Sequence, residues 1–307
     1  MSSKESFFFI SGTGRSGTSL LQSMLAAHPQ VCLPPETHFI RKYLIKYNRI
    51  NPKLKKTLKN DSNLARLNIS EKLNHLIDDA ENTTNLYRQI HTVYRQSNKQ
   101  NLYGDKDPRN IDYIPIINKK LSNSKFIHII RDPRDVVLSR TRASWSKRSP
   151  LFLHAAIYNA QVTRGRKQKN ILGDKRYHEI HYESLLAKPK ESLGKLCQFL
   201  EIPFDEKMLS DFGSAAEKLI SQRELQWKKE TLGPLLTDNS NKWKKIFSDY
   251  QIKMIEGICP FAFSELGYSQ YEITKKQSTF QKFKKFIFVI AGRLFNNIYS
   301  IRLLLKK

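Results

Sequence analysis

Cysteine, acidic side chains and long apolar runs are all scarce in this 307-residue chain. The three cysteines, Cys32, Cys197 and Cys259, are widely spaced and form no CxxC or Cys/His cluster, which argues against a disulfide framework and against a zinc centre. A reducing compartment is the expectation. Near the start there is only a four-residue apolar run, Phe7 to Ile10, too short for a signal-peptide core or a membrane span. The sequence therefore predicts a cytoplasmic chain with no transmembrane helix. Acidic residues number 28 against 53 Lys plus Arg, a formal net charge of +25. Such a surface attracts polyanionic ligands, acidic partners or an anionic membrane, unless it is merely solvated. The imbalance is sharpest from Ile273 onward, where nine Lys or Arg stand with no acid.

What is present is a hydrophobic content of 39%, sufficient for a sizeable core. Phe7 to Ser11 reads as a buried strand and Gly17 to Ala27 as a helix, with Leu20, Leu21, Met24 and Leu25 on one face. A helix is expected from Glu36 to Tyr47. A polar stretch from about 48 to 100 follows, with helical spacing at Leu73, Leu76 and Ile77 and again at Leu86, Ile90 and Val93, and reads as a helical insertion. Lys125 to Arg131 forms a second strand signal, followed by a helix with Pro133 in its first turn. A third strand, "YHEIHYESL", begins at Tyr177. Strands alternating with helices predict an α/β fold with a central parallel sheet covered on both faces. In the tail, Phe283, Phe286 or Ile287, Ile290, Leu294 and Ile298 recur at helical spacing among basic residues. Two readings stay open there: a helix lying on an anionic membrane surface, and a terminal helix packed on the domain.

The segment "SGTGRSGTSLLQSMLAAHP" has the G-x-x-x-x-G spacing of a phosphate-cradling loop at Gly12 to Gly17. Glycines let successive N–H groups point inward, and the following helix offers its positive end to an anion. An ordinary strand-to-helix turn fits the glycines alone. Where an ATP-binding loop carries lysine there is Thr18, followed by Ser19, while Arg15 inside the loop can supply the missing charge and Ser16 a hydroxyl. Downstream, "IIRDPRDVVLSR" puts Arg131 at a strand end and Ser139 on the next helix, a pair suited to a second phosphate. A P-loop nucleotide kinase, needing a strand that ends directly in a magnesium-binding Asp, fits less well, since Arg131 intervenes before Asp132.

These two segments resemble the 5'-phosphosulfate-binding and 3'-phosphate-binding motifs of sulfotransferases that use 3'-phosphoadenylyl sulfate (PAPS). They lie in the family's order, about 110 residues apart. Within that family, Arg15 to Leu20, Ala27 to Pro29, and Glu36 with Thr37 are similar to the tyrosylprotein sulfotransferases. Looser likenesses are "GDKDPRN" from Gly104, "HYESLLAKP" from His181 and "NKWKK" from Asn241. The resemblance implies a P-loop-like three-layer fold and a sulfotransferase domain over 1–272; it accounts neither for the helical insertion at about 48–100 within that domain nor for the basic amphipathic tail over 273–307.

It implies roles as well. Glu36 corresponds to the general base that takes the acceptor's proton, although in isolation it reads as a helix N-terminal acid. Arg15 and Lys106 correspond to the groups that neutralise the sulfuryl and leaving phosphate. Ser16, Gly17, Thr18 and Ser19 complete the loop, Arg131 and Ser139 hold the 3'-phosphate, Tyr182 lies by the nucleotide, and Lys242 belongs to a closing segment. The family's arginine twelve residues after Arg131 is Ala143 here, with Arg142 one place earlier. His38 is held in reserve as a base; His28 and His128 read as structural. PAPS is implied as co-substrate, released as PAP, with no metal. The acceptor is a hydroxyl on a tyrosine peptide, a saccharide or a small molecule, and no specific nucleic-acid partner is implied. A basic binding protein on an inactive nucleotide fold is the non-enzymatic alternative.

Overall fold

The structure, a computed structural model, describes residues 7–98, 100–272 and 278–304, with side chains described to residue 299. Five parallel strands form one sheet: β1 (Phe7–Gly12), β2 (Val31–Cys32), β3 (Leu102–Lys106), β4 (Lys125–Ile130) and β5 (Tyr177–His181). Their order is β2-β3-β1-β4-β5. The chain runs from β1 outward on one side to β3 and then returns across β1 to β4. The sheet therefore reverses direction beside β1, the place where open α/β sheets leave a crevice at the carboxyl ends of their strands.

Both faces of β1 are buried, and alternation divides its side chains. Phe7 and Phe9 join one cluster with Phe126, Tyr103 and the helices of 52–98; Phe8 and Ile10 join another with Leu21, Leu25, Ile127 and Ile129. Pairing of Phe9 with Asp105 and of Ile10 with Ile127 fixes the register. The stretch after residue 48 supplies four helices, Pro52–Lys59, Ser62–Ala65, Ser70–Asp79 and Thr83–Asn98. Leu73, Ile77, Leu86 and Ile90 turn inward to the same cluster as Phe7.

Three sequence expectations are corrected. Glu36 to Tyr47 is not one helix: residues 33–38 have no regular secondary structure, and Ile40–Leu44 coils as a wide π-type turn. His38 takes φ 57°, a left-handed conformation that interrupts any helix running on from Glu36. Second, β2 and β3 join the three strands anticipated. β3 was hidden because its last residues are Gly104, Asp105 and Lys106, all buried, and Gly104 leaves room for the Phe8 ring across the pair. Third, Tyr182 lies just past β5 as the first residue of helix Tyr182–Ala187.

Candidate active site

The first helix, α1 (Thr18–Ala26), starts at Gly17, which takes φ 98°, a conformation that a side chain would strain. A Cβ there would also meet Tyr182 Cδ2 at 2.3 Å, because the Tyr182 ring packs on the loop. Arg15 shares the left-handed conformation, φ 81°, and the loop closes with the Ser16 N–H donating to Thr13 O at 3.0 Å. No side chain caps α1, so its first N–H groups remain open to a ligand. Within the loop, Thr13 Oγ1 and Ser16 Oγ are buried with no partner.

The other expected residues come from the carboxyl ends of the remaining strands. Lys106 closes β3, is fully buried, and donates to Ser19 Oγ at 3.2 Å and to the Glu36 carboxylate. Glu36 arrives on the irregular segment after β2 and also accepts from Lys228 Nζ at 2.7 Å. Burial alone would raise the Glu36 pKa, but Lys106, Lys228 and then His38 hold it far below the ordinary carboxylate range. Burial pushes Lys106 down to about 8, with Glu36 opposing. The base candidate is therefore ionised at neutral pH beside an ammonium that sheds its proton easily.

Arg131 follows β4 directly. It donates to Arg15 O at 3.3 Å and to Asn239 O at 2.8 Å, its guanidinium lies 4.3 Å from the Tyr182 ring centroid, and its Nε is buried without a partner. Arg15 in turn donates Nε to Ser139 Oγ at 2.9 Å and Nη1 to Trp227 O at 2.6 Å. Two cavities meet at Arg15. One, about 750 Å³, is lined by Gly17, Thr18, Ser19, Glu36, Arg131 and Tyr182; the other, about 310 Å³, by Arg131, Ser139, Arg142, Lys229 and Lys242. Arg142 and Ala143 both edge the smaller cavity, so the displaced arginine still faces it. The Lys242 turn is held by Asp135, whose carboxylate accepts from the N–H groups of Asn241 and Trp243.

His38 donates Nδ1–H to Asp107 Oδ2 at 2.8 Å, lies 3.8 Å from Glu36 and lines the larger cavity. His28 and His128 are buried against Pro203 O and the Tyr177 hydroxyl, and burial drops His128 to about 3.

Lys228 is the residue that sequence reasoning missed. It pairs with Glu36 and Glu224 while its helix, Gln222–Lys228, crosses the cleft, and Trp227 and Asn239 of the same region receive Arg15 and Arg131. The one local sign was the capping pair Ser221 and Glu224, which marks a helix start but no role. Arg41, Arg66, Arg109, Arg140 and Arg223 add a cationic rim to the larger cavity. They too were lost among the 53 basic residues.

A family model described as "Sulfotransferase family" matches residues 8–206. Protein-tyrosine sulfotransferase A of Caenorhabditis elegans is 23% identical over 267 residues, spanning 85% of this chain and 67% of that protein. Protein-tyrosine sulfotransferase 1 of Danio rerio is 25% identical over 274 residues, spanning 86% and 72%. The Drosophila melanogaster protein-tyrosine sulfotransferase is 22% identical over 269 residues, spanning 86% of this chain but 52% of its own length. Among solved structures, the sulfotransferase domain of the Synechococcus PCC 7002 olefin synthase superposes with a TM-score of 0.65 at 23% identity, covering 89% of this chain and 98% of that one. The curacin-pathway sulfotransferase domain gives 0.62 at 22% identity, covering 87% and 99%. At these identities the structural likeness is one of fold.

The relatives overturn the cytoplasmic placement expected from the sequence. They are protein-tyrosine sulfotransferases of animals that extend beyond the aligned part, so a start without an export signal places nothing. Nor do the thiols: Cys32, Cys197 and Cys259 are buried in three different core clusters, where they stay unpaired whatever the redox poise outside. The loop after β1, the arginine after β4 and the match over residues 8–206 converge on one assignment: this chain belongs to the sulfotransferase family and is a transferase enzyme.

Proposed function

We propose that the enzyme transfers the sulfuryl group of PAPS to an acceptor hydroxyl, with a tyrosine side chain as the preferred acceptor. The observation that carries this reading is the pairing of Glu36 with Lys106, itself bonded to Ser19, at the uncapped start of α1, with Arg15 of the preceding loop lining the same cavity as Glu36. The residues fit a phosphosulfate nucleotide. Open N–H groups and unpartnered Thr13 and Ser16 hydroxyls surround the loop, and Arg131, Ser139, Arg142 and Lys242 surround a separate cavity suited to the 3'-phosphate. Tyr182, packed against Arg131 and Gly17, would contact the nucleotide.

In the proposed step the acceptor oxygen attacks sulfur in line with the bridging oxygen to the 5'-phosphate. The new S–O bond forms as the bridging S–O bond breaks. The electron pair leaves with PAP, and the hydroxyl proton passes to a Glu36 oxygen. As in phosphoryl transfer, the protein mainly positions groups and stabilises charge. Lys106, already bonded to Ser19, can shift from Glu36 toward the leaving phosphate, and Lys228 keeps Glu36 ionised meanwhile. His38, tied to Asp107, is the reserve base.

The names of the animal relatives support a tyrosine acceptor, and the arginine rim favours one set among acidic groups. Incubation with sulfur-labelled PAPS and a panel of tyrosine peptides, saccharides and phenols tests this. Label on the peptide tyrosine is the expected result. Label confined to saccharides or phenols moves the acceptor; no transfer and no PAP binding removes the reading.

A further inference from the structure

The tail helix, Thr279–Leu304, packs on the domain, one of the two readings left open by the sequence. One face packs on the domain. Phe288, Val289 and Phe295 join the cluster of Ile255, Ile258 and Ala156, Phe288 stacks on Phe152 with ring centroids 5.3 Å apart, and Tyr299 donates to Asp112 at 2.7 Å. Close approach at Gly292, where a Cβ would lie 3.0 Å from Ile258, fixes the helix against Asp249–Ile258.

The opposite face is also apolar, and among the described residues nothing covers it. Phe283, Phe286, Ile287, Ile290, Leu294 and Ile298 are 41–61% exposed. They recur every three or four residues, which makes one continuous stripe along the outside of the helix. At about 100° per residue, Lys282 and Arg293 fall on one flank of this stripe and Lys284 on the other. Helices that lie in a membrane interface share this arrangement: an apolar strip to enter the acyl boundary, with cations on both sides for lipid phosphates. Among the described residues no helix is long and apolar enough to cross a membrane.

We propose that this outer face docks on an anionic lipid surface. Charge selects lipid over a second copy of the chain. Residues 273–307 carry nine Lys or Arg and no acid, so a face-to-face dimer would set these cations against their equals, whereas acidic headgroups neutralise them. The domain below remains folded on its own core, since the buried face uses different side chains. Docking would hold the cleft close to the bilayer, because Tyr299 lines that cleft from the inner face of the same helix.

Co-sedimentation of the full chain with vesicles of phosphatidylcholine alone, and of phosphatidylcholine with phosphatidylglycerol, tests the proposal. Binding is expected to the acidic vesicles, weakened by salt, and little to the neutral ones. The double variant Phe286→Ser/Leu294→Ser should lower partitioning by more than about tenfold, and Lys282→Glu/Lys284→Glu by about tenfold or more. Both variants should keep the parent's circular dichroism and melting temperature, because the altered side chains face outward. The proposal is overturned if acidic vesicles leave the parent in solution, if neutral vesicles bind it equally, or if the folded variants bind as the parent does. A solution dimer, seen by light scattering and dissolved by Phe286→Ser/Leu294→Ser, would also overturn it and assign the face to a second copy.

Discussion

Replacing Lys106 by methionine probes the site at its most buried charge. The side chain is 1% exposed, bonded to Ser19 Oγ at 3.2 Å and to Glu36. Methionine preserves the length and fills the space, so the change removes charge and hydrogen bonds with little loss of packing. Removing one partner of a buried ion pair costs roughly 3–5 kcal/mol when the other is left alone. Glu36 is not left alone, because Lys228 stays 2.7 Å away. A loss of about 1–3 kcal/mol is therefore expected in urea unfolding, since the remaining charge is still paired. Transfer should suffer more: loss of a donor aimed at developing charge costs about 10²–10³ in kcat. PAP affinity should fall less than kcat, because Arg15, Arg131 and the open α1 terminus persist. Single-turnover transfer, PAP titration and urea melts measure the three quantities separately. A kcat within threefold or so of the parent, with PAP affinity reduced by the full amount, would refute the assigned role and leave Lys106 as a ground-state binder.

Other outcomes follow from the same geometry. Arg131→Ala should weaken PAP by about 10–100-fold, the worth of charged hydrogen bonds, while affinity for adenosine 5'-phosphate changes little; calorimetry with both nucleotides gives the ratio, and equal losses would unseat the 3'-phosphate assignment. Gly17→Ala forces a Cβ to 2.3 Å from Tyr182 at φ 98°, so PAP binding and thermal stability should fall together, and a binder of parental affinity would contradict the loop geometry. Above pH about 8, Lys106 of the free enzyme loses its proton, so kcat/KM should decline there. The acid side should stay flat down to the lower carboxylate range, because Glu36 remains ionised well below its ordinary value of 4.5. Lys106→Met should abolish the alkaline limb, and an unchanged limb would assign it to another group.

The parts legible in the sequence were those whose signal is local. A strand, a glycine loop and an apolar helix lie within 7–27, and Arg131 sits one residue beyond a strand with Pro133 opening the helix after it. What escaped depended on distant compensation. β3 hides because Asp105 and Lys106 are buried polar residues, tolerated only since Tyr87 donates to Asp105 at 2.9 Å and Glu36 pairs with Lys106. The supposed helix at Glu36 fails at His38, whose left-handed backbone no residue pattern marks, and the periodic Phe39, Ile40, Tyr43 and Leu44 masked the break. Lys228 reaches Glu36 across 192 residues of sequence, and no spacing rule marks one lysine for that contact.

The central claim is that Glu36 takes the acceptor's proton in an otherwise intact PAPS site. Glu36→Gln keeps size and hydrogen-bonding capacity while removing the base, so parallel measurement of PAP affinity and of single-turnover transfer to a tyrosine peptide tests it directly. The account predicts PAP affinity within a few-fold of the parent and a transfer rate lower by about 10²–10⁴. Transfer at the parental rate with bound PAPS would contradict it and place the base elsewhere, with His38 the next residue to change.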